Sequence, residues 1–220
     1  MDVKPILFNT EMVREILEGR KTVTRRVVKP QPAGDGSAPE PLKTRPGYWN
    51  SWGDDNVYRP PYQPGDILWV RETWRIQSAH RFEADAKIEY KAGGPMGKVK
   101  FKCRSDYDCF IWNQPVGEGK WKPSIHMPRE AARIFLRVTG VRVERLQDMR
   151  LKDCEKEGVQ LNFVESADLV MGSIRARERF SGVWDSTIKP KDLASYGWNA
   201  NPWVWVFDFE RISKEEAQTS

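Results

Sequence analysis

The chain predicts an α+β fold. Residues 10–17 and 168–188 carry apolar side chains at helical spacing, while residues 67–70 and 203–209 are short β-branched and aromatic runs. Residues 86–90 and 99–103 add the apolar–polar alternation of half-buried strands.

Taken in order, residues 4–8 read as an apolar strand. Thr10 is the expected N-cap of a short helix, with Glu11 in its first turn and Met12, Val13, Ile16 and Leu17 on its apolar face. Gly19 stops that helix as the residue past its end. Residues 22–28 read as a strand, with Thr22, Thr24 and Arg26 on one face and Val23, Arg25 and Val27 on the other. Residues 30–64 contain eight of the fifteen prolines and read as an irregular insertion, at about 30–62. Tyr48, Trp49, Trp52, Tyr58 and Tyr62 make it too aromatic for a disordered segment, so parts of it are expected to fold back near the helix–strand junction. A second insertion is expected at about 75–125. Residues 152–157 form a short helix ended by Gly158. Ala176, Phe180, Val183 and Trp184 give the later helix its apolar face. Trp203 and Trp205 alternate with valine in a strand apolar on both faces, which places them in the core. One domain over residues 1–212 and a flexible polar tail at 213–220 complete the expectation.

A net charge of +5 and a pI near 9.1 favour a polyanionic or phosphate-bearing partner. No apolar run approaches a membrane span. The N-terminal residues lead into a strand without a signal-peptide core, and Cys103, Cys109 and Cys154 are an odd, irregular set. Both features point to a reduced, cytoplasmic protein. With His80 and His126 the only histidines and no zinc-ribbon cysteine spacing, no metal is expected.

Residues 19–26 are the chemical focus. They hold one lysine amine, two threonine hydroxyls and the guanidiniums of Arg20, Arg25 and Arg26. An amine beside a hydroxyl is a base beside a nucleophile, and guanidiniums hold phosphates or oxyanions. A solvated basic turn has the same composition. Lys21 and Thr24 sit at an odd offset and meet only if the chain bends at 19–21. Glu157 and Glu72 are the carboxylates that compete for a place beside them.

The pattern Gly19-x-Lys21-x-x-Thr24-x-Arg26 resembles the signature of the ASCH domain family, relatives of PUA-like RNA-binding barrels. The turn Pro64-Gly65-Asp66 into residues 67–70, a central hairpin at 134–146, the Glu-Gly helix at 151–158 and a closing strand at 203–209 extend the likeness over roughly half the chain. The layout is most similar to the longer ASCH proteins of bacteriophages and prophages. The resemblance implies one PUA-like β-barrel with flanking helices and two large insertions.

Bacterial members that resemble this chain hydrolyse the amide of N4-acetylcytidine with a lysine, a threonine and a glutamate that match Lys21, Thr24 and Glu157. Arg26 matches the arginine closing the motif. Arg25, Arg26, Glu72, Trp49 and Trp52 stand as candidate substrate contacts, Glu72 without a family counterpart. The implied function is a metal-independent amidohydrolase of an acylated or modified pyrimidine nucleoside or nucleotide, needing no cofactor. Threonine attacks only if a base takes its proton, and lysine is that base only when neutral. Burial and the crowding arginines favour the neutral amine, whereas an anionic Glu157 opposes it. The rival is a non-catalytic module, or a ribonuclease, that docks RNA or single-stranded nucleic acid on the same basic face. The insertions make the chain about twice as long as the small hydrolases and give room for either function, since a fold does not fix one.

Overall fold

The computed structural model describes residues 3–33, 39–42, 45–51, 54–112, 116–117, 119–160 and 168–219. The elements are, in chain order, β1 (Val3–Leu7), α1 (Thr10–Leu17), β2 (Val23–Val27), β3 (Glu40–Pro41), β4 (Trp49–Ser51), β5 (Asp54–Tyr58), β6 (Ile67–Arg71), β7 (Trp74–His80), β8 (Asp85–Tyr90), β9 (Gly97–Lys100) and α2 (Arg104–Ile111). After them come β10 (Phe135–Arg145), α3 (Leu151–Lys156), α4 (Leu169–Thr187), α5 (Leu193–Tyr196), β11 (Trp203–Ile212) and α6 (Glu216–Thr219). The fold is mixed α+β, as the sequence predicts. Among the described residues none of its three sheets closes into a barrel, and no helix is long and apolar enough to cross a membrane.

The residues group into two compact units, each built from separated stretches of chain. The first comprises Met1–Glu18, Asp66–Arg137 and Arg211–Ser220. Here β1 runs parallel to β6, with Val3 opposite Ile67, and the start of β10 pairs antiparallel on the other side of β6, with Phe135 opposite Trp69. Ile67, Trp69, Phe135, Ile212 and Ala217 close one apolar cluster. The segment read as the second insertion builds the antiparallel sheet β7-β8-β9, whose inward residues Trp74, Ile76, Ile88 and Val99 form a second cluster with Met127.

The second unit comprises Gly19–Gly65 and Val138–Glu210. Its main sheet has the order β10-β11-β2, and the first insertion supplies a small sheet β3-β4-β5. Val23, Val204 and Val206 pack with Cys154 of α3 and Ala176, Phe180 and Trp184 of α4. Asp168 caps α4 by accepting the amides of Val170 and Met171, so its start agrees with the sequence.

Several expectations need correction. The N-cap of α1 is Asn9, whose side chain accepts the amide of Met12 at 2.8 Å, and Thr10 is the first helical residue. Residues 134–146 hold one eleven-residue strand and no hairpin. Gly140 there marks close approach, since a Cβ on it would come within 3.2 Å of the Asp208 carboxylate. Residues 101–103 do not continue β9, and the chain instead turns into α2. Val183 is exposed, off the buried stripe of α4. The tail is not free through Thr219. Ser213 and Glu216 cap each other reciprocally and start α6, which buries Ala217.

Candidate active site

The alternation of β2 sets the site. It pairs antiparallel with β11, so Thr24 lies opposite Phe207, Arg25 opposite Val206 and Arg26 opposite Trp205. Opposed residues share a face. Arg25 therefore points with Val206 and Val23 towards the core under α3 and α4, while Thr24 and Arg26 share the other face.

Lys21 precedes the strand and escapes its alternation. Gly19 takes φ +76°, ending α1 in a left-handed turn, and the amide of Thr22 then donates to the Lys156 carbonyl at 2.9 Å. That bond ties the bend to the end of α3, where Glu157 closes the helix and Gly158 follows at φ +92°. The Lys21 amine donates to the Glu157 carboxylate oxygen Oε2, to the Glu157 carbonyl at 3.1 Å and to the Val23 carbonyl at 2.8 Å. Residues 136 apart in sequence meet here, with Lys21 only 1 % and Glu157 8 % exposed.

Arg25 joins the same cluster. Its Nη1 donates to Glu157 Oε1 at 3.0 Å, and its Nε and Nη2 both donate to Glu144 Oε1, at 3.0 and 2.6 Å. Arg142 continues the chain, bonding Glu144 and Asp208. Cations and carboxylates thus alternate from the half-exposed Asp208 inward through Arg142, Glu144, Arg25 and Glu157 to Lys21. The expected substrate contact from Arg25 is corrected by this geometry. All three of its nitrogens already hold carboxylates, so it positions Glu157. Glu144 and Arg142, absent from the sequence-level candidates, are positioned by strand register, which local pattern does not reveal.

On the other face the Thr24 hydroxyl accepts Arg26 Nη1 at 3.1 Å, and the same nitrogen reaches the Arg25 carbonyl at 3.0 Å. Among the described residues Thr24 makes no side-chain hydrogen bond to Lys21. Aromatics of the first insertion cover this face. Trp49 meets Trp205 edge-on at 5.5 Å between centroids, and Tyr62 meets Phe207 at 5.1 Å. Tyr62, unmarked by any motif, lies close enough for its phenol to feel Arg26, although burial still raises its pKa. Trp52 lies outside the described residues.

Burial dominates the protonation of Lys21. It lowers the amine's pKa, Glu157 opposes the shift, and Arg26 and Arg25 add to it. The stability consequence has a definite sign. Between the lowered value and the ordinary 10.5, the unfolded chain holds a proton that the folded chain lacks. Stability therefore rises with pH through that window, and the contribution disappears as pH falls through the folded value. Urea unfolding across a pH series should show this rise in the wild type relative to Lys21→Met. A flat or opposite difference would mean that Glu157 holds the lysine charged.

Glu72 does not behave as a substrate contact. It belongs to the first unit, is 1 % exposed, and gives both carboxylate oxygens to Arg133 at 2.8 and 2.9 Å. Burial raises its pKa against that pairing. In the second unit, Glu144 and Arg142 also line an open groove of about 810 Å³ with Arg150, Lys152 and Lys156. His80, Glu83 and Asp85 form the group of metal-ligand side chains found among the described residues, but Lys98 already sits on Asp85 at 2.7 Å. No family model, no curated protein and no solved structure matches the chain.

Proposed function

We propose that the chain is a metal-independent amidohydrolase acting on an acylated or otherwise modified pyrimidine nucleoside or nucleotide, with N4-acetylcytidine the first substrate to try. The observation behind it is the buried contact of Lys21 with Glu157, at the foot of the strand on which Arg26 holds the Thr24 hydroxyl. A cytoplasmic setting and a PUA-like barrel ancestry for the strands around β2 belong to the same proposal.

The chemistry follows from these groups. A proton moves from Lys21 to Glu157 along their existing hydrogen bond with no change in net charge, leaving a neutral amine and a carboxylic acid. Burial favours that neutral pair, and Arg25 on the second oxygen of Glu157 opposes it. Lys21 and Thr24 share no direct hydrogen bond among the described residues, so the amine takes the Thr24 proton through one bridging water as the threonine oxygen attacks the acyl carbon. Arg26, already beside Thr24, is placed to donate to the acyl carbonyl oxygen as negative charge develops there. Glu157 protonates the departing cytosine N4 as the C–N bond breaks. Water then releases the acid from the acyl-threonine and restores Thr24. Incubation with N4-acetylcytidine should yield cytidine and acetate by mass spectrometry, and no product from any N4-acylated cytidine would refute the assignment.

A second function is favoured by a specific feature. Three acceptors surround the Lys21 amine, as suits a structural ammonium. Guanidiniums stack on an aromatic ring in the same unit: Arg45 and Arg59 over Tyr48, at 3.8 and 5.4 Å. Such pairs suit single-stranded RNA or DNA. Salt-sensitive RNA binding without any nucleoside product would favour it over hydrolysis.

A further inference from the structure

In the first unit, two hydrogen-bond donors are buried at one indole ring without an acceptor among the described residues. Trp74 is 2 % exposed, and its Nε1–H has no partner among the described residues. Lys122 Nζ lies over the same ring, 5.0 Å from its centroid, and is equally shut from water and unpartnered by any hydrogen bond. The backbones hold the two residues in place, the Trp74 amide donating to the Lys122 carbonyl at 3.2 Å and the Lys122 amide to the Trp74 carbonyl at 2.8 Å. Native proteins leave few buried donors unpaired, so each one asks for an explanation, and a bound acceptor is one. Two at one ring, one of them cationic, specify that acceptor more narrowly than either alone.

We propose that Trp74 and Lys122 form a binding site for a small monocarboxylate, one donor serving each carboxylate oxygen. Charge and surroundings select this class. The site offers one cation, and burial alone lowers the lysine's pKa, with no charged neighbour contributing. The neighbours of the ring are apolar, with Phe110 tilted against Trp74 at 6.0 Å and Ile76, Ile88 and Met127 in the same cluster. A phosphate dianion would bring a second charge and more acceptor sites than these two donors satisfy. A carboxylate balances the lysine and places its carbon skeleton on the aromatic wall. Lys122 itself lies on a two-bond bridge at the edge of β7, outside the ladder of the three-stranded sheet. The site is independent of the Lys21 chemistry.

Nuclear magnetic resonance on the full chain tests it. Sodium acetate should shift the Trp74 indole N–H resonance saturably, with sodium phosphate at matched ionic strength binding more weakly. Lys122→Met should weaken acetate about tenfold or more, the scale of losing one charge-assisted hydrogen bond. The wild-type titration decides by itself if that variant does not fold. An indole resonance indifferent to acetate, as when only an ordered water fills the gap, overturns the site. Equal acetate affinity in Lys122→Met, or tighter phosphate than acetate, overturns it as well.

Discussion

Replacing Glu157 with alanine should destabilise the second unit by about 3–5 kcal/mol, the range for removing one partner from a buried ion pair. The carboxylate faces two cations, Lys21 and Arg25, neither of which reaches water. Arg25 keeps Glu144 after the substitution, whereas Lys21 loses the carboxylate and keeps the Val23 and Glu157 carbonyls. Cys154 offers a direct readout beside urea unfolding. It is buried in the core one turn before Glu157, and burial pushes its thiol up to about 11. Cys103 and Cys109 are exposed and should react with a thiol reagent in the native protein. In Glu157→Ala, labelling of Cys154 should accelerate with the increased opening of α3, relative to those two. A loss below about 1 kcal/mol would show that Lys21 is neutral without its carboxylate partner.

Thr24→Val should lower the turnover of N4-acetylcytidine about a thousandfold or more, leaving substrate affinity within a few-fold. The hydroxyl is the attacking group in the proposed chemistry, and valine fills nearly the same volume without it. Stability should change by about 1 kcal/mol, since one part-buried hydrogen bond, from Arg26, is lost. Arg26 retains the Arg25 carbonyl, so the strand stays in place. Turnover that survives the substitution would remove Thr24 as nucleophile and leave Lys21 and Glu157 to activate water directly.

The parts legible in the sequence are those that local chemistry dictates. Gly19 and Gly158 end helices through left-handed turns, Asp168 opens a helix, and residues 67–71 and 203–209 are strands because few other conformations bury so many branched and aromatic side chains. The odd offset between Lys21 and Thr24 was also readable. It translates into Lys21 meeting Glu157 while Thr24 faces the insertion aromatics. The partners of Arg25 were not readable, because Glu144, 119 residues away, reaches it across β11, the strand between β2 and β10. Asn9 displaced Thr10 as cap because both are good capping residues and only backbone geometry chooses between them. Gly140 resembles a turn in sequence and is a strand residue in space, since the constraint on it comes from Asp208. Likewise the unpaired donors of Trp74 and Lys122 exist only once the connection after α2 has folded back to β7.

The way β10 and β11 divide between the units bears on biosynthesis. The first apolar cluster needs Ile67 and Phe135 but also Ile212 and Ala217. Nothing in the N-terminal half can therefore close that cluster while the ribosome is still adding the later residues. The second unit, by contrast, has all its stretches between Gly19 and Glu210. Synthesis order thus favours completion of the second unit first, the reverse of the usual N-terminal lead. The exposed faces of Ile67 and Trp69 would wait longest for cover, which makes β6 the strand that a chaperone has most reason to hold.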